Sequence, residues 1–398
     1  MSTETFTGAA APLLDHLVDA RRRLHAVAEV GLTLPVAQAL LLEELAGLDL
    51  DITLGTGLTS VTAVLRGGRP GPVVLLRADM DALPVVEATG LPFSSTTGAM
   101  HACGHDLHMA GLLGALRLLH ERRADLPGTV VAMFQPGEEG YAGGRAMIEE
   151  GVLDAAGERP VAAYAIHVDC VTPLGLFVTR SGPIMASASG MKLRVAGTGG
   201  HAAFPHHSLD PIPVAAEIVL AIQTFVTRRV PATDPAVVSV VGISSESVAP
   251  NVLATGVTIE ANIRTLSRET FALVREQLTG LAVGIGAAHG LEVAVEYIDS
   301  YPVTINDPAE TAHVLAMLDE LHGPERVMRL PAPSMASEDF AYVLEEVPGT
   351  LLFIGAQPVH TATPPPAMHS EFAVFDDSVL ALQAETLAEL AWRRLTRD

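Results

Sequence analysis

The chain has 398 residues, of which 49% are hydrophobic, and its formal net charge is −22 at pH 7. This length is typical of two domains, and the hydrophobic content is sufficient to form a core in each. The negative charge excludes nucleic-acid binding as a function class, because neutralising phosphates requires a basic surface.

The chain also lacks the usual signs of a membrane or secreted protein. Charged residues, Gly or Pro interrupt every apolar run before it reaches the length of a membrane span. Residues 1–5 lack the basic region that opens a signal peptide. Two cysteines, Cys103 and Cys170, are too few for a disulfide framework. We therefore expect a cytoplasmic enzyme without a membrane partner.

The first predicted elements are two helices, at residues 11–30 and 36–48, where Leu and Val recur at three- and four-residue spacing. A further apolar helix is predicted at 112–120. Short, almost continuously apolar runs predict buried strands at residues 60–66, 72–78, 129–134, 161–168 and 351–354. Strands that are buried on both faces and alternate with helices predict an α/β fold with a mostly parallel sheet.

The middle of the chain has a different pattern of elements. They follow the order strand, helix, strand, strand, helix, strand, at residues 191–195, 211–227, 236–243, 252–264, 268–288 and 291–297. This order is that of the ferredoxin-like unit. We therefore predict one α/β domain made of residues 1–185 and 302–398, with residues 186–301 inserted into it as a ferredoxin-like α+β domain.

Polar side chains follow three of the predicted strands. Asp79 and Asp81 follow one strand, Glu138 and Glu139 follow another, and His167 ends a third. Open α/β sheets bind ligands beyond the carboxyl ends of their strands. The three runs are therefore expected to bring these side chains to the same edge of the sheet.

The stretch Met100–His108 contains one thiol, three imidazoles and one carboxylate. These are the side chains that bind zinc-like divalent metals. A lone histidine is more often a hydrogen-bonded structural residue, and an acidic pair such as Glu138-Glu139 is more often a solvated loop. Their joint occurrence after buried strands favours a metal site, and the paired glutamates beside it indicate hydrolysis by a metal-activated water.

Seven motifs, in order along nearly the whole chain, resemble the M20 metallopeptidase clan. The resemblance is to the amidohydrolase branch, which includes hippurate hydrolases, N-acyl-amino-acid amidohydrolases and plant auxin-conjugate hydrolases. The matching segments are 77–84, 100–108, 135–140, 165–168, 199–206, 337–340 and 368–370.

This resemblance implies a site for two divalent metal ions per subunit. The implied ligands are Cys103, His105, Glu139, His167 and His369. Zinc, manganese, cobalt and nickel all remain open, because mixed sulfur, nitrogen and oxygen ligands suit several metals. His108 lies three residues after His105 and is assigned a supporting role rather than a place among the ligands.

The resemblance also implies roles in catalysis and substrate binding. Glu138 is the implied general base, and Asp81 the residue that orients a ligand. His201 is implied to contact the developing oxyanion of the scissile carbonyl. Asn251 and Arg264 match positions that bind a substrate carboxylate, a task that suits the forked guanidinium of arginine.

The expected function is hydrolysis of the amide bond in a small N-acyl amino acid such as hippurate. Two alternatives stay open: a dipeptidase or carboxypeptidase of the same clan, and a non-catalytic metal-binding relative. The resemblance further implies a homodimer formed through residues 186–301.

Overall fold

The computed structural model describes residues 5–359 and 364–397. They form two compact units. Unit 1 contains the described residues up to 184 together with 305–332, 339–359 and 364–397, and unit 2 contains 185–304 and 333–338. The sequence-based prediction places residues 333–338 in the segment 302–398 of the α/β domain. The sequence-based domain boundaries, which also cover residues outside the described ranges, stay a prediction.

Unit 1 is built on an eight-stranded sheet with helices packed against it. Its helices are α1 (Leu14–Ala26), α2 (Pro35–Leu45), α3 (His105–Glu121), α4 (Gly143–Glu149), α7 (Pro308–His322), α8 (Ala341–Glu346) and α9 (Val379–Leu395). Its sheet strands are β1 (Asp51–Leu54), β2 (Val61–Arg66), β3 (Arg69–Asp79), β4 (Pro127–Gln135), β5 (Ala162–Pro173), β6 (Phe177–Thr179), β15 (Val327–Arg329) and β16 (Gly349–Gln357). Two more short strands, β7 (Gly182–Met185) and β14 (Thr304–Asn306), pair with each other in a separate two-stranded sheet.

The strand order of this sheet is β1-β2-β4-β3-β5-β16-β6-β15. Neighbours from β4 to β16 pair in parallel, whereas β1, β2 and the β16–β6 pair are antiparallel. The sheet is therefore mixed with a parallel centre, and the predicted α/β metallohydrolase fold is confirmed. Central side chains such as Leu75 and Leu76 are fully buried. Burial of each such side chain stabilises the folded state by about 1.5–3 kcal/mol relative to exposure to water.

The strand register brings three predicted polar positions level with one another. Asp79, the last residue of β3, pairs with Gln135 on β4. Arg77 pairs with Ala165 on β5, so His167 lies level with Asp79. Because β3, β4 and β5 run parallel, these side chains share one edge of the sheet, as the positions of the strand ends predict.

Helix α3 is the central helix of unit 1 and is buried along most of its length. It packs against α1 and α9, and two glycines allow the close approach. A Cβ at Gly111 would lie 2.5 Å from Gln383, and one at Gly114 would lie 2.7 Å from Ala384. The helix begins at His105, seven residues before the start that apolar periodicity predicts, because its first turn carries polar residues.

Unit 2 contains a four-stranded antiparallel sheet of order β10-β12-β8-β13. The elements of the unit are β8 (Ala188–Ala196), β9 (Gly200–His201), α5 (Pro211–Arg229), β10 (Ala236–Ser245), β11 (Val252–Leu253), β12 (Gly256–Thr265), α6 (Arg268–Ala288) and β13 (Val293–Tyr301). Both helices pack on one face of this sheet. The predicted ferredoxin-like order is therefore present, but the single strand expected at 252–264 is divided into β11, which pairs with β9, and β12.

One helix of unit 2, α5, is long and apolar enough to cross a membrane by length and composition. Ile218, Ile222 and Phe225 on its inner face belong to the core of unit 2. Core helices of folded domains pass the same test, so the length and composition of α5 do not by themselves indicate a membrane span.

Candidate metal centre

A tight turn places Cys103 and His105 beside each other. Gly104, between them, has φ +84°, a left-handed conformation that glycine adopts without strain. A Cβ at this position would also lie 2.4 Å from the Val168 side chain. The turn leads directly into α3, so Cys103 and His105 are both buried at its start.

The structure brings all five predicted ligands together in unit 1. One group consists of Cys103, His105 and His167, and a second of Cys103, Glu139 and His369, with the ligand atoms of each group within 4.8 Å of one another. Cys103 Sγ lies 3.5 Å from His167 Nε2 and 3.3 Å from His369 Nε2. The thiol of Cys103 is therefore common to two clusters that can each hold a metal ion.

His369 reaches this cluster through an unusual backbone conformation. Its φ is +65°, in the left-handed region that non-glycine residues adopt infrequently. Its N–H donates to the carbonyl of Ala102 at 3.0 Å, next to Cys103. Backbone conformations of this kind concentrate at functional sites. The sequence offered no sign of this conformation.

His108 uses both ring nitrogens within the protein. Nε2 accepts from the backbone N–H of Val168 at 2.8 Å, so Nδ1 carries the proton that it donates to Asp79 at 2.5 Å. Burial lowers the pKa of His108 to about 4, despite the nearby Asp79 carboxylate. A neutral imidazole with both nitrogens engaged supports the assignment of His108 to a role other than metal ligand.

Asp81 holds the loop that carries the two glutamates. Its Oδ1 accepts from the N–H of Glu138 at 2.9 Å, and its Oδ2 from the N–H of Glu139 at 3.0 Å. Asp81 Oδ1 also lies 3.6 Å from His105 Nδ1. The carboxylate is fully buried, so Asp81 acts by positioning neighbouring groups.

Replacing this carboxylate tests that role. In Asp81→Asn, one side-chain oxygen becomes an NH₂ group that faces a backbone N–H, so one hydrogen bond to the glutamate loop is lost. We expect metal affinity to fall by about 10- to 100-fold, as for other groups that orient metal ligands. Competition titration against a metal indicator measures this, with exposed Asp15→Asn as the control. An unchanged affinity in Asp81→Asn would contradict the positioning role.

The charges and unsatisfied polar atoms of the cluster suit a bound cation. Both ring nitrogens of His105 are buried and lack a hydrogen-bond partner in the described part of the chain. Burial raises the pKa of the Cys103 thiol, and the carboxylates of Glu139, Glu138 and Asp79 raise it further. Burial alone would lower the pKa of His105, but Asp79, Asp81 and Glu139 raise it to about 10.

The crowded carboxylates therefore favour positive charge at this site, and a divalent cation can take the place of the protons on Cys103 and His105. Thiolate, imidazole and carboxylate are suitable ligands for such an ion. The residues present fit a metal centre.

Glu138 lies beside this centre rather than on the protein surface. It is 6% exposed, and its ligand atom lies within 4.8 Å of those of His105 and Glu139. Its backbone is held by Asp81. A buried carboxylate in this position is within reach of a molecule that binds at the centre.

The network behind the centre includes residues to which the sequence analysis assigned no role. Arg77 donates to Asp79 at 2.6 Å, to Gln135 at 2.9 Å and to Asp339 at 2.9 Å. Burial alone would raise the pKa of Asp79, but the charges of Arg77 and His105, together with the hydrogen bond from His108, hold it well below its usual range. Arg77 and Asp339 lie in two of the seven family motifs, 77–84 and 337–340. The sequence signal for the Arg77–Asp79 contact is their two-residue spacing, which places both side chains on the same face of one strand.

The three other predicted site residues lie in unit 2. His201, on β9, is exposed, and its Nδ1 accepts from the N–H of Ala203 at 3.1 Å. Asn251 is also exposed, and its carbonyl accepts from the N–H of Ala202 at 2.9 Å beside the β9–β11 pair. Arg264 lies in the other sheet of the unit, on β12.

The family follows from comparison with known proteins. The sequence profile described as peptidase family M20/M25/M40 matches residues 75–393. The chain belongs to this family. The predicted resemblance to the M20 clan is therefore confirmed, and the protein is an M20-family hydrolase.

Several known proteins are similar to this chain over most of their length. Thermostable carboxypeptidase 1 of Saccharolobus solfataricus is 34% identical, with 95% of each chain covered. N-acetyl-L-cysteine deacetylase of Bacillus subtilis is 39% identical over 76% of this chain and 71% of that protein. The crystal structure of YXEP from B. subtilis, described as a dinuclear metal-binding M20 peptidase, matches with a TM-score of 0.84 and 29% identity, covering 98% and 99% of the two chains.

Proposed function

We propose that the protein is a metal-dependent amidohydrolase that cleaves the amide bond of N-acyl amino acids such as hippurate. The observation that carries the proposal is the shared thiol of Cys103, which joins two ligand clusters beside the buried carboxylate of Glu138. The similarity to a deacetylase of an N-acyl amino acid supports the substrate class.

The proposed centre holds two divalent ions, which can be zinc, manganese, cobalt or nickel. His105 and His167 would hold one ion and Glu139 and His369 the other, with Cys103 shared. The description of YXEP as a dinuclear peptidase supports two ions. When bound, the ions acidify a water molecule and polarise the scissile carbonyl.

Glu138 is the proposed general base. Its carboxylate accepts a proton from the attacking water and then delivers that proton to the leaving amine. The Asp81 carboxylate holds the backbone of Glu138 and Glu139, so that one glutamate moves protons and its neighbour stays a ligand.

Substrate recognition is proposed for residues of unit 2. His201 would donate a hydrogen bond to the carbonyl oxygen as negative charge develops on it. Asn251 and Arg264 would bind the carboxylate of the amino-acid part of the substrate.

A second candidate function is supported by the similarity to a carboxypeptidase over 95% of the chain. A carboxypeptidase or dipeptidase would share the metal centre and also accept a free amino group on the acyl side of the scissile bond. A non-catalytic metal-binding relative would bind the ions without turnover.

A paired substrate screen separates these functions. Metal-loaded enzyme is assayed with N-acyl amino acids, hippurate included, and with dipeptides of the same C-terminal residue. If the protein is an amidohydrolase of N-acyl amino acids, we expect chelator-sensitive turnover of the acylated substrates and little turnover of the dipeptides. Faster dipeptide cleavage would favour the alternative, and no turnover with metal bound would favour a binding protein.

We further propose that the protein forms a homodimer through unit 2. Its cytoplasmic location stays a prediction. Strand β10 is an edge of the four-stranded sheet and exposes Val237 and Val241. An exposed apolar edge strand is a suitable surface for pairing with a second copy.

Light scattering tests this dimer. The wild-type chain is expected to have the mass of two subunits, and Val241→Glu to shift it toward one, because the substitution buries a charge at the contact. Val241 is 69% exposed, and Val86, which is 73% exposed in unit 1, provides Val86→Glu as the matched control. A wild-type monomer at assay concentration would contradict the dimer.

A further inference from the structure

The open face of the unit 2 sheet carries three cationic side chains. Leu193 and Ile263 point to the core under α5 and α6, so the alternate positions on β8 and β12 lie on the opposite face. Lys192, Arg194 and Arg264 occupy such positions. They differ in the groups that balance their charge.

Two of these cations have carboxylate partners. Lys192 Nζ lies 3.9 Å from Glu260, and Arg194 donates to Glu246 at 2.9 Å through both Nε and Nη2. Arg264 has no carboxylate partner among the residues that the structure describes. Its neighbour is instead the neutral amide of Asn262.

Arg264 is half-buried, and the one side-chain hydrogen bond that it makes to the described residues uses Nε. Nε donates to Asn262 Oδ1 at 3.0 Å, while Nη1 is buried and has no hydrogen-bond partner within residues 5–359 and 364–397. Burial lowers the pKa of Arg264, and no carboxylate opposes this effect. An unbalanced, partly buried guanidinium is costly, so the site is suited to an anion supplied by a ligand.

The position of Asn262 determines which edge of the guanidinium is available. A carboxylate can bind arginine side-on, through Nε and one Nη, or end-on, through both Nη atoms. Because Asn262 occupies Nε, only the end-on approach is open. The cross-strand neighbours of Asn262 are Ser239 and Gly190, so neither carries a charge that competes for its amide.

We propose that Asn262 is a positioning residue that fixes Arg264 for end-on binding of the substrate carboxylate. This inference rests on the proposed function, since it concerns how the carboxylate of an N-acyl amino acid is recognised. An aspartate at the same position would hold the guanidinium equally well but would neutralise it. A neutral, short amide is therefore the side chain that orients Arg264 and leaves its charge available to the substrate.

Calorimetric binding to the metal-loaded enzyme tests this inference without relying on turnover. The probes are benzoylpropionate, the ketone analogue of hippurate with a methylene group in place of the amide nitrogen, and the corresponding carboxamide. The wild type is expected to bind the acid more tightly than the amide. Asn262→Asp should weaken binding of the acid by about 10- to 100-fold, the range for losing a hydrogen bond to a charged group. Binding of the amide should be unchanged.

Three further variants complete the experiment. Asn262→Ala removes the orientation but not the charge, so its effect on the acid should be smaller than that of Asn262→Asp. In an Arg264→Ala background, Asn262→Asp should have no additional effect on acid binding, because the two residues act as one unit. Ser239→Ala, in the same row of the sheet, is the matched control and should bind both probes as the wild type does.

Three outcomes would overturn the inference: equal binding of acid and amide by the wild type, an Asn262→Asp variant that binds the acid normally, or equal weakening of both probes. Failure of the proposed function has a different signature. An enzyme that does not cleave hippurate, but shows the expected binding pattern, would contradict the amidohydrolase proposal and support the role of Asn262.

Discussion

Glu138→Gln is expected to lower kcat by about 10²–10⁴-fold, the contribution typical of a general base. Glutamine keeps the size and hydrogen-bonding capacity of glutamate but cannot accept the proton of the attacking water. Metal content should stay near that of the wild type, because Glu138 is not among the five proposed ligands. KM should change little, since the substrate carboxylate is proposed to bind Asn251 and Arg264. Steady-state kinetics and elemental analysis measure these quantities.

Glu139→Gln is the matched control for this experiment, because it makes the same chemical change one residue further along the same loop. Glu139 Oε1 lies 3.2 Å from His369 Nε2 in one of the two ligand clusters. Its substitution removes a charged ligand and should reduce metal occupancy, and excess metal should restore part of the activity. Near-normal turnover by metal-loaded Glu138→Gln would show that another group is the base.

Cys103→Ser is expected to have the largest effect on metal binding, because Cys103 belongs to both ligand clusters. A serine hydroxyl stays protonated near neutral pH and is a poor replacement for a thiolate. We expect the affinity for both ions to fall by more than about 100-fold, which is the upper range for loss of a group that merely orients a ligand. Activity should fall with occupancy. Metal stoichiometry after gel filtration measures the effect.

The second cysteine provides a matched control. Cys170 is buried on β5, and its thiol is directed toward the Pro366 carbonyl at 3.5 Å rather than into the clusters. Burial and the charge of Asp169 raise its pKa to about 12, so it stays a thiol. Cys170→Ser should retain both ions, and His369→Gln should lose mainly one. A Cys103→Ser enzyme that retains both ions would rule out the shared-thiol centre.

Much of the fold was predictable because burial leaves a clear periodic signal. The central strands β3, β4 and β5 are nearly all apolar, and the helices of unit 2 show regular apolar spacing. The short strands β1, β6 and β15 were not predicted, since three or four residues carry too little pattern. The division of the predicted strand 252–264 was also missed, because β-propensity continues through a break that only pairing with β9 reveals.

The sequence by itself determined which residue types are present and which strand ends carry them. It predicted Asp79, Glu139 and His167 at one edge, because parallel strands present their carboxyl ends together. It also indicated the Cys103–His105 pair, through the density of ligand-type side chains in nine residues. The composition of the candidate metal site was therefore visible before any contact was known.

Only the tertiary structure decided how these residues divide their roles. It showed that Cys103 is common to two clusters, that the partners of His108 use both of its nitrogens, and that Asn262 takes the Nε of Arg264. These facts depend on hydrogen-bond partners that are distant in sequence or lie on one face of a strand, and on the backbone conformation of His369. Sequence pattern reports burial and local periodicity, whereas the choice of a partner depends on the direction of a side chain within the folded protein.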